Sequence, residues 1–263
     1  MAEHGWPLLF ALFVWWFSTG LVLYLDQLPR RTYRWSLAGA TAVLIAALCG
    51  TVRTSIDATV AAAYCAFSCA VLVWGWLEMT YYMGAVTGPR EAPCPPGAWG
   101  WRRFGYALQA SLYHELAIVA TAAAIVALTW GGANQVGTWT FVVLWVMRWS
   151  AKLNIFLGVP HLNEAFLPEH LRFLRTYIPR RSMNALFPIS VTVATIALVL
   201  LTQGALAADG FEAAGLSLLA ALLALAILEH WFLVVPLRDS ALWSWALRLR
   251  GARAGGDLPR AAP

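Results

Sequence analysis

Long apolar runs separated by short polar joints dominate the chain. Seven of these runs are long enough to cross a hydrocarbon slab roughly 30 Å thick, which takes about 20 residues of helix. They fall at about 7–25, 37–54, 58–86, 105–130, 137–157, 185–206 and 213–236, the second being the shortest. Backbone N–H and C=O groups find no water inside lipid, so each run must satisfy them internally as a helix. The pattern therefore predicts an all-α polytopic bundle forming one domain over 1–250. Two further stretches mix apolar residues at helical spacing with arginines: 158–184, with Leu162, Phe166, Leu171 and Leu174, and 238–250, with Trp243, Trp245 and Leu247. Both are expected to be helices lying in the membrane interface, the Trp side chains among the headgroups. The loop Thr87 to Gly100, TGPREAPCPPGAWG, is too rich in Pro and Gly to be helical, and the tail 251–263 has the Gly, Ala, Arg and Pro content of a disordered segment.

Composition agrees with the periodicity. Hydrophobic residues make up 60% of the 263 positions and charged residues only 12%, more apolar surface than a soluble core of this length uses. Charge then orients the bundle. Of the 18 Lys and Arg residues, all but Arg53 fall in the joints or span ends of one side, which the positive-inside rule makes cytoplasmic. The N-terminus is thus expected outside and the C-terminus in the cytoplasm. The net charge of +5 follows from this topology and implies attraction to anionic lipid, with no nucleic-acid role. The first residues carry no Lys or Arg, so they lack the basic region of a cleavable signal, and the first span is expected to be retained. Four scattered cysteines make no disulfide framework. The chain has no Walker motif, no G-x-G-x-x-G, no nucleophile elbow and no C-x-x-C, which leaves ATP-driven, nicotinamide and dithiol chemistry without support.

Ionisable side chains inside a span cost roughly 2.5–3.5 kcal/mol each at its centre, so each needs a partner or a purpose. Here Glu78, His114, Glu115, Arg148, Lys152, Asn154, Glu229 and His230 all lie within about two or three turns of the arginine-rich ends of their spans. They are expected to form one layer. Three uses of that layer are compatible with the residues. Arg148 and Lys152, one turn apart, can neutralise two of the three carboxylates as structural ion pairs. Alternatively, some of Glu78, His114, Glu115, Glu229 and His230, with His161 and Glu164 from the neighbouring interfacial segment, can ligate a transition-metal ion. No H-E-x-x-H motif supports that set, and adjacent residues such as His114 and Glu115 diverge by about 100° on a helix. Third, His114 or His230 can serve as axial ligand to a tetrapyrrole, with Ala107, Ala110, Ser111 and Ala117 leaving room beside His114 for a flat ring.

Several stretches resemble the PuhE family of photosynthetic complex assembly proteins of purple phototrophic bacteria. These are FALFVWWFSTGLVLYLDQLP at 10–29, VLVWGWLEMTYYMGAVTGPREAPCP at 71–95, YHELAI at 113–118, the long string from TWGGANQVG to PEHLRFL at 129–174, and LEHWFLVVPL at 228–237. The resemblance spans nearly the whole chain. It implies an assembly factor for reaction-centre and light-harvesting complexes in the bacterial inner membrane, handling bacteriochlorophyll or apo-subunits, with those subunits as partners. It carries over no catalytic or ligand residues. The alternative function is a membrane-embedded, metal-dependent oxidoreductase tailoring a pigment or lipid-soluble substrate.

Overall fold

A computed structural model describes residues 2–161, 167–236 and 241–246. Glu164, the tail 251–263 and most of the segment 238–250 lie outside the described residues. The described residues form eight α-helices: α1 (Ala2–Asp26), α2 (Tyr33–Ser55), α3 (Val60–Tyr82), α4 (Gly100–Gln109), α5 (Leu112–Thr129), α6 (Val136–Leu157), α7 (Leu186–Ala207) and α8 (Gly210–Phe232). All except α4 are long and apolar enough to cross a membrane, giving the seven spans.

Two boundaries differ from the expected ones for identifiable reasons. The second span is not the shortest: α2 has 23 residues, because it starts among polar residues at Tyr33, whose hydroxyl donates to the Asp26 carbonyl across the preceding turn. The run 105–130 is not one helix. It breaks at Ala110 and Ser111, where the loop after α3 presses in. Gly88 lies so close that a Cβ there would sit 2.1 Å from the Gln109 carbonyl oxygen. The His114 N–H turns to the Thr87 carbonyl at 3.0 Å instead of closing a helical turn. What remains of the span is α5, at 18 residues the shortest. The amphipathic α4 in front of it exposes Trp101 and tucks Arg103 against the end of α6, where its guanidinium donates to the Phe156 carbonyl.

The centre of the bundle is α3 with α8, which bury 56% and 61% of their membrane-length windows against at most 28% for the other spans. Small residues explain this placement. Ala62, Ala63, Ala66 and Ala70 on α3, and Ala213, Ala214, Ala220 and Ala221 on α8, are all buried and let neighbouring backbones approach, the usual basis of helix association in lipid. Gly137 of α6 faces the Ala66 carbonyl, and a Cβ there would lie 3.1 Å from it.

The arginine-bearing loops gather at one end and bind one another. Arg90 Nε donates to the Tyr177 hydroxyl, Tyr177 donates to the Ala92 carbonyl, and the Cys94 N–H donates to Thr176. Among the described residues of 158–184, where an interfacial helix is expected, the helical element is a 3-10 helix, Glu169–Tyr177, that buries Leu171 and Tyr177. In the other predicted interfacial segment, residues 241–246 pack against α1, with Leu242 and Trp245 exposed. Trp243 is buried beneath α1, donating its indole N–H to the Trp16 carbonyl at 2.9 Å, while Trp16 returns a bond to the Leu242 carbonyl. A Cβ at position 20 would overlap the Trp245 ring, so a larger residue there requires that ring to shift.

Candidate functional site

Helices α1, α3, α6 and α8 line a partly open cavity of about 420 Å³. Each contributes one stripe. On α3 the stripe runs Phe67, Val71, Trp74, Glu78 and Tyr82; on α6, Leu144, Arg148, Lys152 and Ile155; on α8, Leu222, Ala226 and Glu229, continued by Leu233 just past its end. These steps of three and four residues place each set on a single helical face. Trp15, Thr19 and Val22 of α1 complete the wall, and Leu167, Leu174 and Ile178 together with Trp243 close the arginine-rich end. The cavity is therefore apolar and aromatic with a polar zone at one end, the usual make-up of a small-molecule site.

The polar zone is organised by two ion pairs. Arg148 Nη2 lies 2.8 Å from Glu78 Oε2 and also donates to the Tyr82 hydroxyl at 3.2 Å. Lys152 Nζ lies 2.6 Å from Glu115 Oε1, whose other oxygen accepts the Trp149 indole N–H at 2.7 Å. The pairs tie α3 and α5 to α6. Both carboxylates are more covered than their partners, with side-chain exposures of 12% and 9% against 29% and 27% for the cations. The third carboxylate, Glu229, is in no ion pair among the described residues; it accepts the Trp15 indole N–H at 2.7 Å and is accessible from the cavity.

The imidazoles go elsewhere. His230, next to Glu229 in sequence, turns about 100° away and is held between Ser150 Oγ at 2.9 Å and the Ala226 carbonyl at 2.8 Å. His114 is fully buried, its ring 4.5 Å from that of Tyr81 and its two nitrogens without a hydrogen-bond partner. Neither lines the cavity. The room expected beside His114 for a flat ring does not exist, because the break at 110–111 removes Ala107 and Ala110 from its helix and Tyr81 covers its face. His161 reaches the cavity mouth, but from an irregular segment, its N–H donating to the Leu233 carbonyl. Among the described residues no group of three or more His, Cys, Asp or Glu side chains is placed to hold a metal ion. The expected metal set is thus divided: Glu78 and Glu115 face cations, Glu229 faces the cavity, and the histidines are apart.

By residue type and position alone, Trp15, Tyr81 and Tyr82 read as belt or packing residues. Trp15 and Tyr82 instead supply polar contacts to the charged zone, and Tyr81 lies between His114 and the Lys152 ammonium. The signal available was their depth, since a carboxylate or guanidinium inside a span requires a hydrogen-bonding neighbour at the same level.

Fold and site together define a multi-pass membrane protein with an ion-paired intramembrane cavity. The chain belongs to a family described as "Protein of unknown function (DUF3623)", whose model matches residues 1–254. It is 41% identical over 242 residues to the "Uncharacterized 30.4 kDa protein in puhA 5'region" of Rhodobacter capsulatus, an alignment covering 90% of this chain and 88% of the relative. No solved structure matches it.

Proposed function

We propose that the protein is an assembly factor for photosynthetic reaction-centre and light-harvesting complexes, working in the bacterial inner membrane by holding bacteriochlorophyll or one of its precursors in the cavity. The observation that carries the reading is the cavity itself: about 420 Å³, walled by Trp15, Phe67, Trp74, Phe232 and Trp243. Its size suits a small molecule, or the ring portion of a larger pigment whose remainder lies outside, rather than a subunit. A helix about 10 Å across rises about 5.4 Å per turn, so a space of this volume takes roughly one turn of a partner helix, whereas it falls within the range of about 300–1,000 Å³ typical of ligand sites. Two further observations support a photosynthetic context: the family-like strings along the chain, and the position of the relative's gene beside puhA. The arginine-rich end, with its positive-inside signature, is the cytoplasmic one in this reading, and reaction-centre or antenna subunits are the recipients.

Protein purified in mild detergent from phototrophically grown cells is expected to carry a tetrapyrrole, visible by absorbance. Ala226→Phe, which fills the cavity from α8, is expected to abolish that absorbance while leaving the protein monodisperse. A deletion strain is expected to lose reaction-centre and antenna absorbance. Pigment-free wild-type protein together with normal complex levels in the deletion strain overturns the proposal.

A further inference from the structure

We infer that Glu229 is the recognition point of the cavity and that it selects an apolar ligand by an electropositive centre, either a hydrogen-bond-donating cation or a ring-bound hard metal ion. The inference rests on the cavity being a ligand site, as proposed above, and adds what that ligand must carry. Its basis is an imbalance of charge. Two cations and three carboxylates meet around the polar zone, and each cation is already committed, Arg148 to Glu78 at 2.8 Å and Lys152 to Glu115 at 2.6 Å. A charge held against its counter-ion presents mainly a dipole to a molecule entering the cavity. Glu229 makes no such ion pair among the described residues, and the Arg148 charge that reaches it is already held by Glu78.

Glu229 is nevertheless held in place. Trp15 fixes one carboxylate oxygen at 2.7 Å, and the stripe Leu222, Ala226, Glu229, Leu233 presents the side chain to the same space as the aromatic walls. Glu229 is exposed to this space, so a ligand entering among the aromatic walls meets the carboxylate directly, and a positive centre on it gains a charge-assisted contact. An anionic ligand would instead add a fourth negative group to a zone already one cation short. Carboxylate oxygen is also a suitable donor for a hard ion such as magnesium. The choice between His114 and His230 as pigment ligand is thereby replaced by an oxygen ligand on the residue adjoining His230.

Glu229→Gln is a clean test because the amide carbonyl still accepts the Trp15 N–H while the charge is removed. In nanodiscs, with quenching of Trp fluorescence as the readout, the wild type is expected to bind dodecylammonium at least about 10-fold more tightly than dodecanoate, a difference of the size one charge-assisted contact supplies. Glu229→Gln is expected to erase the preference. Equal or tighter binding of dodecanoate by the wild type, or a preference that survives in Glu229→Gln, overturns the inference. Magnesium and metal-free protoporphyrin dimethyl esters separate the two sources. Tighter binding of the magnesium ester, lost in Glu229→Gln, supports a ring-bound metal; esters that bind wild type and Glu229→Gln equally well overturn the ring-bound metal. If neither ester binds the wild type while the ammonium preference holds, Glu229 keeps its role and the pigment proposal fails.

Discussion

Replacing Glu115 with Gln tests whether the paired charges hold the bundle together. Glu115 presents two oxygens to two donors, Lys152 Nζ at 2.6 Å and Trp149 Nε1 at 2.7 Å. Gln has one acceptor in the same volume, so either the ammonium or the indole N–H loses its partner, and the net negative charge is lost with it. For unit charges about 4 Å apart at an effective dielectric near 20, the attraction is roughly 4 kcal/mol. Removing one member of a buried pair costs about 3–5 kcal/mol. Lys152 retains 27% side-chain exposure, which places the expected loss at the lower end, about 3 kcal/mol. At about 2–4 °C per kcal/mol for a chain of this length, the midpoint is expected to fall by about 6–12 °C. Thermal unfolding of detergent-purified protein, followed by the monodisperse fraction, measures it. The double variant Glu115→Gln/Lys152→Met leaves the Gln carbonyl for Trp149 and no orphan charge, so it is expected to recover most of the loss. A single variant within about 1 kcal/mol of wild type, or a double variant whose effect is the sum of the singles, refutes the reasoning.

Three further outcomes are expected. Gly88→Ala, whose methyl would meet the Gln109 carbonyl oxygen at 2.1 Å, is expected to displace the loop from the α4–α5 break and cost about 1–3 kcal/mol, as overpacking does; hydrogen exchange at the His114 amide reports it. Trp243→Ala removes the indole buried beneath α1, and the loss of a buried Trp, about 3–5 kcal/mol, is expected to release the 241–246 segment, seen as faster proteolysis after α8. His170, outside the spans, has its pKa lowered first by burial and then by Arg30, with Glu91 opposing. The unfolded segment therefore takes up a proton before the folded one does, so the stability present above about pH 6.5 is lost as pH falls below it. Exchange across 169–177 is expected to rise in that window, and to be flat in His170→Gln.

The seven spans and the layer of ionisable residues were legible in the sequence because both follow from one-dimensional physics: a run of apolar residues must be helical in lipid, and a charged group in such a run is costly enough that its depth alone is informative. Seventy residues separate Glu78 from Arg148, yet their shared level was readable from position along each span. Direction around the helix axis was not. His230 and Glu229 are neighbours in sequence but serve different surroundings, one held by Ser150 and the Ala226 carbonyl, the other open to the cavity, and only packing of α6 and α1 against α8 decides which is which. The same holds for the fourth span. Nothing in the run 105–130 announces a break at Ala110; it arises because Gly88, distant along the chain, brings backbone against backbone and the Thr87 carbonyl supplies the bond that the helix gives up. Hydrophobic period fixes which residues enter the membrane and at what depth, while contacts between segments far apart in sequence decide which of them face one another and which face an open cavity.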